Sequence, residues 1–135
     1  MISSWAYVKF NLFAVVLSLS PSVDRLVTKS VIAGSAVSFN CTLNESCAHQ
    51  SIQWVHYSTL YTRPEVWYRS RRLNHDILHG RGVTVEEDSA GGWSVLSIPG
   101  VMFADRGRFY CVVTRLHHSC QMNFKLTVTG NICKI

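Results

Sequence analysis

The chain has 135 residues, of which 47% are hydrophobic and 16% are charged, and its formal net charge is +5. This composition predicts one folded domain with a core of its own and excludes a disordered chain. The positive charge is modest, acidic residues lie among the basic ones, and no nucleic-acid-reading motif is present, so we expect no nucleic-acid partner. Five cysteines in so short a chain indicate an oxidising compartment.

The amino-terminal segment predicts export. Lys9 precedes an apolar run over residues 10–19 that is too short to span a bilayer comfortably, and small residues follow it. We therefore predict a signal peptide over residues 1–22, a folded domain over 23–129 and a short tail over 130–135. No second long apolar run appears in the sequence, so we expect no membrane span in this chain. The expected location is secreted or at the extracellular face of the plasma membrane.

Short runs of alternating apolar and polar residues, separated by turn residues, occupy the rest of the chain. In one such run Val37, Phe39 and Cys41 share a face, while Ser38 and Asn40 share the other. The pattern predicts an all-β protein with nine strands, the first of them divided. Their predicted bounds are 23–27 with 30–32, 36–41, 52–57, 66–68, an edge strand after the arginine-rich 69–72, 82–86, 93–98, 107–114 and 123–128.

Two cysteines and a tryptophan frame this pattern, at Cys41, Trp54 and Cys111. The segment before the last cysteine reads Asp-Arg-Gly-Arg-Phe-Tyr over residues 105–110. Frame and segment resemble the Asp-x-Gly-x-Tyr-x-Cys signature of variable-type (V-set) immunoglobulin superfamily domains, over roughly residues 23–129. The resemblance implies a β-sandwich of two antiparallel sheets, bridged by the two framing cysteines and with the indole packed on the bridge.

The same signature implies roles for four corner residues. Gly107 provides a tight corner in which a positive φ is permitted. Asp105 is expected to pair with Arg81, as V-set domains commonly pair an aspartate and an arginine there. Phe109 stands where the family usually has its corner tyrosine. We therefore expect a ring that faces the core without the hydrogen bond of a tyrosine hydroxyl.

Three further cysteines remain. Cys47 lies in the loop over residues 44–50, and Cys120 lies at the start of the last strand. In this fold the loops concerned share one end of the sandwich, so a second bridge between these thiols is expected, the alternative being two free thiols. Cys133 is then unpaired, which in a secreted protein suggests an intermolecular bridge or a reactive thiol.

Two sequons begin at Asn40 and Asn44. Asn44 lies in a loop and is the better acceptor for a glycan, whereas Asn40 points outward from a strand beside a bridged cysteine.

The sequence shows no catalytic or metal-binding arrangement. His117-His118-Ser119-Cys120 lacks the usual spacing of zinc ligands, and adjacent loop histidines usually diverge. No Ser-His-Asp order, phosphate loop or paired carboxylate site is present. We therefore expect no enzyme activity, no metal and no cofactor.

The resemblance implies a binding module of an immune or cell-adhesion receptor. Its partner would be a protein ligand or counter-receptor, bound through the face of strands 52–57, 66–68, 107–114 and 123–128 together with the loops. The last strand lacks the Gly-x-Gly bulge of antigen receptors, so the likeness is to a single-domain immune-type surface receptor or its soluble form. The candidate ligand-binding residues are Tyr57, Trp67, Tyr68, Tyr110, Arg115, Leu116, His117 and His118.

Two alternatives stay open. One is a secreted structural or oligomerising protein that forms a homodimer through the same face or through Cys133, without a dedicated ligand. The other concerns Arg69, Arg71 and Arg72, which either bind an acidic partner or sulfated glycan or form a solvated edge.

Overall fold

The computed structural model describes residues 26–43, 47, 51–59, 63–114 and 119–130. The predicted signal peptide, both loop histidines and Cys133 lie outside these ranges. In the described part, no helix is long and apolar enough to cross a membrane.

Nine β-strands and two short helical segments make up the described ranges. The strands are β1 (Leu26–Ile32), β2 (Val37–Thr42), β3 (Gln53–Ser58), β4 (Glu65–Arg69), β5 (Arg72–Leu73), β6 (Thr84–Glu87), β7 (Trp93–Ile98), β8 (Gly107–Thr114) and β9 (Ser119–Thr129). The helical segments are α1 (His75–Leu78) and a 3₁₀ turn (Phe103–Asp105).

The strands form two sheets that face each other. One has six strands in the order β1-β9-β8-β3-β4-β5, and the other has three in the order β2-β7-β6. Neighbouring strands are antiparallel, except that β1 and β9 are parallel. The expected all-β sandwich is confirmed with that one exception.

The expected division of the first strand is wrong. Residues 26–32 form one continuous ladder with residues 123–129, and exposure alternates along it without a break. The polar pair Thr28-Lys29 resembles a break in the sequence pattern, but an edge strand tolerates polar residues. Here the Lys29 ammonium donates to the carbonyl oxygen of Ser38 on the other sheet, at 2.6 Å.

The core lies between the sheets and is centred on aromatic rings. Phe39 of β2 packs against Phe109 and Phe124 of the larger sheet, with ring centroids 4.9 and 5.0 Å away. Trp54 is fully buried, and its indole N–H donates to the Ser94 hydroxyl at 2.9 Å. Such rings account for much of the apolar area that the sandwich removes from water.

A disulfide joins the two sheets through this core. Cys41 of β2 is bonded to Cys111 of β8, with their Cα atoms 6.4 Å apart, and both are buried. Trp54 is the cross-strand neighbour of Cys111 in the β3–β8 ladder. The bridge spans 70 residues of sequence, and in the chain-entropy model a loop of that size contributes roughly 4 kcal/mol of stability.

An ion pair closes the lower end of the sandwich. Asp105 is 2% exposed, and its two carboxylate oxygens accept from the two terminal nitrogens of Arg81 at 2.9 and 2.5 Å. The backbone N–H of Met102 also donates to this carboxylate, at 2.8 Å. The Arg81 guanidinium lies 5.7 Å from the ring centre of Trp67 as well. The pair therefore connects the segment before β6 to the turn before β8.

The corner at Phe109 uses a histidine as its hydrogen-bond donor. Phe109 is fully buried and stacks on the His56 imidazole, with ring centres 4.3 Å apart. The imidazole Nε2 lies 2.9 Å from the carbonyl oxygen of Asp105, so Nε2 carries the proton. Burial lowers the pKa of His56, which keeps the ring neutral. A corner tyrosine bonds to this same upstream backbone with its hydroxyl.

Exchanging the donor tests this arrangement. His56→Phe keeps an aromatic ring but leaves the Asp105 carbonyl without its side-chain donor, at an expected cost of about 1–3 kcal/mol in unfolding free energy. Adding Phe109→Tyr should restore about 1 kcal/mol, because the hydroxyl supplies a new donor. In the wild-type background Phe109→Tyr should change little, since the imidazole already donates there. Urea denaturation of the four proteins measures the coupling. If Phe109→Tyr changes stability equally in the wild type and in His56→Phe, the hydroxyl does not replace the imidazole as the donor.

Candidate functional site

The outward surface of β3, β4, β8 and β9 carries one exposed and one partly exposed tyrosine. Tyr57 and Tyr110 meet edge to face, with ring centres 5.2 Å apart. Tyr57 is 44% exposed and Tyr110 is partly exposed. Their position follows from strand parity, because the neighbours Trp54, His56, Phe109 and Cys111 all point into the core.

Cross-strand pairing gives this surface three rows. The middle row runs from Val66 through Val55 and Tyr110 to Asn123. We call the whole set the outer face. Its members are Gln53, Val55, Tyr57, Val66, Arg108, Tyr110, Val112, Gln121, Asn123 and Lys125.

The outer face is apolar in its middle and positive along one row. Tyr57, Arg108 and Lys125 are cross-strand neighbours, and all three are exposed. The ten residues of the outer face include two cations, Arg108 and Lys125, and no carboxylate. The face therefore complements a surface that offers apolar side chains beside acidic ones.

Val55, Val66, Arg108 and Val112 are among the outer-face residues that the sequence interpretation missed. Each follows from the parity of the two tyrosines, because a residue directly across the ladder from an outward residue, or two positions along the same strand, also points outward. Extending the alternation from single residues to ladder neighbours finds all four.

The expectation that Trp67 and Tyr68 belong to this surface is wrong. Both are buried, with 1% and 6% exposure. The β3–β4 register shifts here, because Trp54 pairs with Tyr68 whereas Val55 pairs with Val66. Trp67 is the extra residue of this β-bulge, and the bulge allows two consecutive side chains to face the core.

Both residues have core partners. Trp67 packs edge-on against the rings of Phe109, at 5.1 Å, and His56, at 5.2 Å. The Tyr68 hydroxyl donates to the Glu87 carboxylate of β6. Burial raises the pKa of Tyr68 to about 12, and its bond to Glu87 adds to the rise. The Tyr68–Glu87 hydrogen bond connects the two sheets, and neither ring is available to a ligand bound on the outer face.

A second disulfide lies at the loop end of the sandwich. Cys47 is bonded to Cys120, the cross-strand neighbour of Val113, and their Cα atoms are 6.3 Å apart. The bridge thereby connects the segment after β2 with the start of β9. The other loop candidates, Arg115, Leu116, His117 and His118, lie outside the described residues.

Of the two glycosylation candidates, one lies in the described ranges and the other does not. Asn40 is exposed on β2 of the three-stranded sheet, opposite the outer face, while Asn44 lies outside the described ranges. Across the described ranges, no group of three or more histidine, cysteine, aspartate or glutamate side chains is arranged to hold a metal ion.

Comparison with known proteins identifies the fold. No protein-family model and no curated protein matches the chain. Many solved structures are similar. One is the crystal structure of the second Ig domain from mouse polymeric immunoglobulin receptor, with a TM-score of 0.62 at 15% sequence identity, covering 77% of this chain and 96% of that one. The chain therefore has an immunoglobulin-like β-sandwich fold.

Proposed function

We propose that this chain is an extracellular, variable-type immunoglobulin-like module of an immune or cell-adhesion receptor. In this proposal it recognises a protein ligand through the outer face and performs no catalysis. Residues 1–22 act as its signal peptide. The β4–β5 hairpin supports the variable type, because constant-type domains lack this additional pair of strands.

The observation that carries the proposal is the exposed Tyr57–Tyr110 pair. Aromatic side chains with large contact areas are common anchors of protein interfaces, and these two hold each other in place on a rigid sheet. The half-buried Val55, Val66 and Val112 surround them. Because strands rather than loops carry the pair, little side-chain order is lost on docking.

The position of Asn40, one of the two glycosylation candidates, agrees with this face. A glycan on Asn40 would project from the three-stranded sheet and leave the outer face uncovered. In this proposal Asn44 is a second glycosylation site. The Cys47–Cys120 bridge constrains the backbone at Cys47 and at the start of β9, and a constrained surface loses less entropy on binding.

Alanine at both tyrosines tests the proposal. The probe is the fluorescent, tetramerised domain, applied to an array of cells that each display one cell-surface ectodomain. We expect the Tyr57→Ala/Tyr110→Ala protein to lose at least about tenfold in affinity for any ectodomain that the wild type binds, since each anchor contributes about 1 kcal/mol or more. Circular dichroism and thermal melting verify folding.

Trp93→Ala provides the matched control. Trp93 is 43% exposed, close to the value for Tyr57, but it belongs to the three-stranded sheet. Its removal should leave binding unchanged. If Trp93→Ala abolishes binding, or if Arg69 and Arg71 changes abolish it while the tyrosine variant binds normally, the outer face is the wrong surface. If the wild type binds no ectodomain and sediments as a dimer that the tyrosine variant dissociates, the face is a homodimer contact instead.

A further inference from the structure

A lateral pocket opens at one side of the sandwich, away from the outer face. It has a volume of about 370 Å³, at the lower end of the range for small-ligand sites. It lies between β5 and β6, each of which is one of the two edge strands of its sheet. The residues that line it are Tyr68, Arg71, Arg72, Leu73, His75 and Val85.

The arginines at this pocket have no carboxylate partner in the described part of the chain. Arg69, Arg71 and Arg72 are exposed. Among the described carboxylates, Glu65 lies within 4.0 Å of the His56 imidazole and Asp105 within 4.0 Å of the Arg81 guanidinium, and none lies that close to these three guanidinium groups. Unpaired guanidinium groups on neighbouring positions of a hairpin present a concentrated positive charge with planar donor geometry.

The partly buried Glu87 beside Tyr68 is already engaged. Glu87 accepts the hydrogen bond of the Tyr68 hydroxyl through one carboxylate oxygen. Its other oxygen is buried and has no hydrogen-bond partner among the described residues. Glu87 thus holds the tyrosine that lines the pocket and leaves the arginines free for an external anion.

The backbone that presents the arginines is strained. Ser70 and Arg71 form the two-residue connection between β4 and β5, and both have positive φ values, of 53° and 62°. Such connections favour Asn-Gly, because side chains other than glycine, asparagine and aspartate are disfavoured there. A long cationic side chain at the second position is therefore kept at a cost to stability, which is typical of a binding position.

We propose that the lateral pocket binds the sulfate groups of a sulfated polysaccharide. Arg71 and Arg72 donate to sulfate oxygens in the bidentate manner that guanidinium permits, with Arg69 extending the positive edge. The apolar walls formed by Leu73 and Val85 accommodate the sugar ring faces. This site is separate from the outer face, and the inference does not depend on the function proposed above.

The test uses a heparin-derived hexasaccharide and the full chain in isothermal titration at about 0.05 and 0.15 M salt. We expect saturable binding that weakens with salt. Arg71→Gln/Arg72→Gln should lose at least about tenfold in affinity, because charge-assisted hydrogen bonds are lost. Arg63→Gln/Arg106→Gln removes the same charge outside both the lateral pocket and the outer face and should change affinity less than about threefold.

Two single variants separate binding from folding. Arg71→Gly removes the guanidinium and relieves the strained φ, so it should weaken binding while leaving the melting temperature at or above that of the wild type. Ser70→Gly relieves strain but keeps all three arginines, so it should bind like the wild type. Lost binding by Arg71→Gly together with a lower melting temperature would show that the arginine has a structural role and would overturn the proposal.

A further titration tests whether sulfate groups are what the pocket recognises. The same hexasaccharide after chemical desulfation keeps its carboxylates, and we expect its affinity to fall at least about tenfold. Equal binding of both forms would overturn sulfate recognition. Tighter, equally Arg71-dependent binding of a single-stranded oligonucleotide would overturn the choice of a polysaccharide, and equal loss in both double variants would show unspecific charge attraction.

Discussion

Gly107→Ala is expected to destabilise the domain by about 4–5 kcal/mol, the largest effect of any single substitution considered. Gly107 has a φ of 128°, in a region that side chains rarely adopt. A Cβ atom there would overlap the carbonyl oxygen of Tyr57 and stand 3.1 Å from Ser58 Cα and Thr59 N. All three are backbone atoms at the end of the β3–β8 ladder. A side-chain rotation therefore cannot relieve the overlap, and the backbone itself would have to move.

Urea denaturation measures this effect, with Gly100→Ala as the control. A methyl group added at Gly100 would have no atom within 4 Å, and this glycine has no positive φ, so alanine there should cost less than about 1 kcal/mol. If Gly107→Ala unfolds at nearly the wild-type urea concentration, β3 and β8 do not approach each other as described.

Asp105→Ala is expected to cost about 3–5 kcal/mol of unfolding free energy. The substitution removes three hydrogen bonds, from both terminal nitrogens of Arg81 and from the backbone N–H of Met102. It also leaves the guanidinium, whose side chain is 17% exposed, without its counter-charge. The uncompensated cation accounts for much of the lost stability, because a charge that remains largely buried without its partner is destabilising.

A double-mutant cycle identifies that contribution. Arg81→Leu combined with Asp105→Ala should destabilise less than the sum of the single substitutions, since the double variant has no orphaned charge. Asp76→Ala removes an exposed carboxylate and should stay within about 0.5 kcal/mol of the wild type. Strict additivity of the two core substitutions would contradict a direct interaction between them.

Alternation and the corner motif predict most of this fold. Strand 107–114 is confirmed at both ends, and strand 93–98 likewise, because inward and outward residues alternate without interruption in each. The inter-sheet bridge follows from the inward parity of its two cysteines. The bounds of the edge strands are predicted less accurately, because exposed edges carry polar residues that resemble turns.

The errors have identifiable physical causes. A period of two places Trp67 and Tyr68 on opposite faces, and only the register shift in β4 brings both inward. The four-residue helix α1 is too short to show a helical period. The role of His56 is hidden in the sequence because its acceptor, the Asp105 carbonyl, is distant along the chain, and a histidine on a strand gives no signal of that contact.

The lengths of the edge strands bear on how the molecules behave when concentrated. β5 has two residues and β6 has four, and β6 ends at Glu86-Glu87 with Asp88 following it. The longer edge strand β1 carries Lys29 at its centre, and this ammonium donates to the Ser38 carbonyl oxygen of β2, which is the remaining edge strand. Unpaired strands invite another chain to add by backbone hydrogen bonding, and short or charged edges oppose this addition. We therefore expect concentrated solutions to remain free of fibrils.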